Sequence, residues 1–116
     1  MKRPFLEERK IMETIAGLPK SSFTILDFIE TFKQLFPDQW QRLVERYGLF
    51  GQRKRYTVAT YLANRLYLHS HKSESCLEPF QKYRKGGMGD YRRATREEKE
   101  SFGSLWIAIY RKIKEG

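Results

Sequence analysis

Cysteine is almost missing from this chain. Cys76 is the single one in 116 residues, so no internal disulfide can form, and a reducing cytoplasmic setting is the expectation. Histidine is scarce, with His69 and His71 only. Long apolar runs are missing as well. The longest covers 105–110, far short of the roughly 20 residues a membrane-spanning helix needs. Residues 1–8 contain no apolar stretch of signal-peptide length, which predicts a chain without a secretion leader. Acid is the other shortage. Asp plus Glu total 14 against 23 Lys plus Arg, for a net charge of +9. Such a surplus points to an acidic partner, nucleic acid ahead of a membrane surface.

Catalytic and cofactor signatures are thin. The glycine cluster Gly86-Gly87-Met88-Gly89 lacks the spacing of a phosphate-binding P-loop, and no dinucleotide fingerprint occurs. His69, His71 and Cys76 lie close in sequence but match no zinc spacing, so a surface histidine pair and a partly buried structural cysteine are expected. Glu97-Glu98-Lys99 with Asp90 upstream has the E-x-K form of some nucleases. Here it sits at a helix-start pattern, where acids are expected for the helix dipole. The expectation is no enzyme, no cofactor and no metal.

What is present is a core and a localised charge. Hydrophobic residues make up 40% and aromatics 15%, enough for a packed single domain over 1–116. Residues 1–49 carry eight basic and seven acidic groups, whereas 53–93 carries ten basic and three acidic. Confinement of that kind suits a phosphate-facing surface.

Periodicity orders the elements. A helix is predicted over 4–16, with Pro4 in its first turn and a stripe of Ile11, Met12 and Ile15. A second runs over 24–36, capped by Thr24 with Asp27 three residues on, with Ile25, Phe28, Ile29, Phe32, Leu35 and Phe36 as a core-facing stripe. Pro37 separates a third over 38–47, which Gly48 stops. Thr57 caps a fourth, reaching about His71. Val58, Leu62 and Leu66 share its apolar face, Arg65 lies near that face's edge, and Thr60, Asn64, Tyr67 and His71 fall opposite. Residues 78–85 read as strand-like and 86–90 as a glycine turn, so that 80–93 would form a hairpin. A capped short helix is expected from Thr95 to Phe102, and a buried strand over 105–110.

Helices followed by a hairpin, with a basic loop ahead of the last helix, resemble the winged-helix class of DNA-binding domains. The resemblance covers about 24–113 and rests on element order. It implies a mostly α fold with a small antiparallel β-hairpin (α+β), in which residues 1–20 form a dimerisation or packing arm. It also implies a helix-turn-helix-type reading helix and a wing. Two departures are the long link from Gly48 to Thr57 and a long wing holding its own helical turn.

The candidate nucleic-acid-binding residues follow from both readings. Arg53, Lys54 and Arg55 precede the fourth helix, where its dipole favours phosphate. Thr57, Thr60, Asn64, Tyr67 and His71 belong to that helix and its cap, with Asn64 suited to adenine and Tyr67 and His71 to phosphate. Lys82, Arg84, Lys85, Arg92 and Arg93 rim the glycine turn. The expected function is DNA binding, sequence-specific or sequence-tolerant, in a regulatory role such as transcription regulation. Two alternatives stay open. One is an RNA-binding module, since Tyr56, Tyr61, Tyr67, Tyr83 and Tyr91 interleave with the cations and can stack on bases. The other is a protein-interaction or accessory domain with an acidic partner. A homodimer seamed by Phe5, Leu6 and Ile11 is a further open point.

Overall fold

The computed structural model describes residues 6–49, 56–85 and 87–113. It is an α+β fold, five helices with a small antiparallel sheet. In chain order the elements are α1 (Glu8–Gly17), β1 (Ser22–Thr24), α2 (Ile25–Leu35), α3 (Pro37–Tyr47) and α4 (Val58–Ser70). They are followed by β2 (Tyr83–Arg84), β3 (Gly87–Met88), β4 (Tyr91–Arg93), α5 (Arg96–Phe102) and β5 (Trp106–Arg111).

The helices start where the caps dictate. The Thr24 hydroxyl accepts from the Asp27 N–H while the Asp27 carboxylate accepts from the Thr24 N–H, which satisfies two donors that the helix leaves open. Thr95 and Glu98 repeat this reciprocal pair at α5. Gly103 ends α5 in the left-handed region at φ 84°, a conformation open to glycine without steric strain.

The apolar stripe of α2 supplies the centre of the core. Phe28 and Phe32 are fully buried with ring centroids 6.1 Å apart. Each contributes roughly 1.5–3 kcal/mol by leaving water. Leu62 and Leu66 of α4 and Leu43 of α3 close onto them, also without exposure. From the other side come Phe23, Ile107 and Tyr110 of the sheet.

The strands depart from expectation. The main sheet has order β1-β5-β4, all antiparallel, with Phe23 opposite Tyr110 and Arg92 opposite Ile107. β1 carries no signal along the chain, because three residues are too few for an alternation to show. Residues 78–85 are strand only at Tyr83–Arg84, and 80–93 is not one hairpin. β2 and β3 form a tight one, after which the chain turns and β4 pairs with β5. Gly89 makes that turn possible. A Cβ there would collide with the Gln81 carbonyl, since the Asp90 N–H donates to that same carbonyl. At the N-terminus, the helix begins at Glu8 rather than residue 4; Pro4 and Phe5 lie outside the described residues.

One expectation about a polar side chain is corrected, and two further polar groups are covered by the fold. His69 is buried, not a surface residue. Its Nε2 accepts from the Cys76 N–H, so Nδ1 carries the proton and donates to Glu8. Arg65 is also largely covered, and its guanidinium donates to Glu8, the Tyr61 hydroxyl and the Leu6 carbonyl. Asp90, at the end of the glycine turn, is buried. It accepts from the Gln81 N–H and pairs with Arg84 and Arg111. Each buried group has partners because an unpaired one is costly in a low-dielectric interior.

Leu62→Ala removes a fully buried side chain between α4 and the core. Chemical denaturation is expected to show a loss of about 2–5 kcal/mol.

Candidate nucleic-acid interface

The candidate interface centres on α4, whose two sides the sequence divides by size and polarity. Val58, Leu62 and Leu66 face the core, and Thr60, Asn64, Leu68 and His71 are exposed on the other side. Tyr67 is half-buried at the flank toward the sheet. Thr57 is a cap and is buried. Its hydroxyl meets the Thr60 hydroxyl at 3.3 Å, so it positions the first turn rather than offering itself to a ligand. Asn64 is a hydrogen-bond partner of Tyr56, whose hydroxyl is pushed up in pKa, first by burial.

The end of α4 holds the next segment in place. The Phe80 N–H donates to the Ser70 hydroxyl, and the His71 Nε2 lies 2.9 Å from the Phe80 carbonyl. His71 is therefore exposed yet occupied at one ring nitrogen. Phe80, fixed in this way, packs edge-on against Tyr67 and Tyr91.

A cleft of about 550 Å³ opens between α4 and the sheet. Ala59, Thr60, Ala63, Asn64 and Tyr67 line it from α4, and Tyr91, Trp106, Ala108 and Tyr110 from the strands. Trp106 is 36% exposed, against the expectation of a wholly buried strand, because it stands at the end of β5 beside the cleft. Sequence reasoning did not place Ala63, Trp106 and Ala108 in a site. The alternation of Trp106, Ala108 and Tyr110 along β5 was the available signal, masked by the unbroken apolar run.

The candidate cations separate into two groups. Arg84 is tied to Asp90 at 2.7 Å, and Arg92 makes two 2.7 Å bonds to Glu98. Both charges are thus matched inside the molecule. Lys82 lies 4.5 Å from the Tyr67 ring centroid, a cation–π interaction at the cleft. Lys85 and Arg93 are exposed. Arg53, Lys54 and Arg55 lie outside the described residues. Thr57, Thr60, Asn64, Tyr67 and Lys82 are the predicted residues that the fold brings together around one feature.

The electrostatics of the paired groups follow from their partners. Burial would raise the Asp90 carboxyl, but the Gln81 N–H, Arg84 and Arg111 outweigh it and hold it below its ordinary value. Glu8 behaves likewise, with burial opposed and exceeded by His69, Lys72 and Arg65. Glu98 is lowered to about 2, first by Arg92 and then by the Thr95 backbone N–H. Among the described residues, no group of three His, Cys, Asp or Glu is placed to hold a metal ion. No described helix is long and apolar enough to cross a membrane.

No family model, curated protein or solved structure matches this chain.

The lowered Glu98 fixes a sign for pH dependence. Its contribution is present above the unfolded value of 4.5 and lost as pH falls toward about 2. Denaturation of the native chain and Glu98→Gln across this window is expected to show a stability difference that shrinks on acidification. A difference constant with pH would contradict the pairing.

Proposed function

We propose that the chain binds nucleic acid, with duplex DNA the first target, through the exposed side of α4 and the cations beside it. The observation that carries this reading is the distribution of charge. Residues 46–73 contain six Lys or Arg and no Asp or Glu, and this stretch includes all of α4. A helix face that presents Thr60, Asn64 and His71 without a single carboxylate can approach a phosphate-lined groove without repulsion. Lys82, Lys85 and Arg93 follow on the β2–β4 segment, two of them without an acidic side-chain partner among the described residues and Lys82 engaged by an aromatic ring.

The arrangement of elements supports a winged-helix-like reading. α4 is the last helix before β2, β3 and β4, and β4 and β5 form the candidate wing, with α5 between them. In this reading α4 enters the major groove, Asn64 addresses a base edge, and Lys85 and Arg93 meet the flanking backbone. Arg84 and Arg92 hold the wing together instead. A regulatory role is the natural use of such a reader.

Fluorescence anisotropy with a labelled duplex over a salt series tests the reading. The logarithm of the association constant is expected to fall linearly with the logarithm of salt. Lys85→Ala and Arg93→Ala each take away one cation that neutralises a phosphate, and each should flatten the slope by about 0.9. Binding that ignores salt, or a slope unmoved in the double variant, would sink the proposal.

A further inference from the structure

We propose that the cleft between α4 and the sheet seats a single unstacked nucleobase, with its phosphate at Lys82. The inference rests on the nucleic-acid reading for its choice of ligand, and it adds a site that duplex recognition by α4 does not require.

Small residues create the space. Ala59 and Ala63 on α4 face the strands, and Ala108 on β5 lies between the larger Trp106 and Tyr110 on the same strand face. Bulkier side chains at these positions would fill the gap that remains, about 550 Å³. Aromatic rings bound it on several sides. Tyr67 comes from the helix, Tyr91 from β4 and Trp106 from β5. Tyr67 and Tyr91 stand at 83° and 87° to the Phe80 ring, so both rise upright from the same aromatic base. A flat ring is the shape that such walls accept, and every base has a π-face to offer them.

The polar lining narrows the chemistry further. Thr60 and Asn64 stand along the helix side of the cleft, and hydroxyl and amide groups both donate and accept, as a base edge demands. Among the described residues, no Asp or Glu lines the cleft, and Lys82 is its one charged lining residue. The ligand is therefore flat, hydrogen-bonding at its edge and negatively charged at one end. A nucleobase carrying a phosphate meets all three conditions, whether it comes from an unpaired position in a strand or from a free mononucleotide.

The experiment uses the full chain with Trp40→Phe, so that Trp106 is the one indole and reports on the cleft directly. The probes are a perfect duplex, the same duplex with one bulged adenine, oligothymidine, and adenosine monophosphate. The bulged duplex and oligothymidine are expected to quench Trp106 emission, whereas the perfect duplex binds without quenching. Quenching by the mononucleotide as well identifies the free nucleotide as a source, and quenching by strands alone identifies the strand. Ala108→Leu should remove the quenching and cut the preference for the bulged duplex about tenfold, on the scale of one lost base stack. If that variant does not fold, Lys82→Ala provides the same readout from an exposed position.

Absence of quenching with every probe overturns the inference, and so does quenching that persists in Ala108→Leu. Perfect and bulged duplexes bound alike, with Trp106 silent, would overturn the base seat and leave duplex binding standing. Mononucleotide quenching with no duplex binding would do the reverse.

Discussion

Phe80 sits where the helices meet the sheet, and the last turn of α4 decides its position. Ser70 takes its N–H and His71 reaches its carbonyl, while His69 in the same turn binds the Cys76 N–H. These bonds add to the short backbone pairing of the segment, in which the Glu78 N–H donates to Arg111 and the Ile113 N–H to Cys76, and together they anchor it. The ring that they place touches Tyr67, Tyr91 and Tyr110, all of which line the cleft. The relation between α4 and the strands, and so the shape of the candidate interface, follows from this anchoring.

A second constraint acts on charge. Glu8 and Asp90 are partly or wholly removed from water, and a carboxylate in that position must be paired. Each draws in cations: Arg65 and Lys72 reach Glu8 from far along the chain, and Asp90 takes Arg84 from six residues away and Arg111 from β5. The basic surplus is thereby divided between structural and outward-facing groups. Arg84 and Arg92 brace the β2–β4 region, and Lys82, Lys85 and Arg93 stay on its surface. Net charge by itself overstates the cations that a phosphate backbone would meet.

The helices were legible because their signals are local. Thr24, Thr57 and Thr95 each cap a helix at the position their spacing indicates. Ile25, Phe28, Ile29 and Phe32 of α2 and Val58, Leu62 and Leu66 of α4 are buried as their stripes indicate, whereas Leu35 at the end of α2 is exposed and Tyr61, His69 and Ser70 are buried outside the stripe. The strands were legible only at β5, where six residues suffice to show their character. β1 and β4 have three residues each and exist because β5 offers them partners on both edges. His69 looked like a surface histidine for a similar reason. Its partner Glu8 is 61 residues away, and no pattern along the chain connects them.

The ends of most helices, the apolar stripes of α2 and α4, and the place of the cationic excess in the middle of the chain can all be read from the order of residues. Those properties depend on neighbours within a turn or two, or on simple counting. Contacts through space set which cations are tied to buried carboxylates, make Asp90 a hub, and leave a cleft between aromatic rings where alanines stand on α4 and β5. Each of these depends on groups brought together through space, and hydrophobic burial, which drives that assembly, has no direction along the chain.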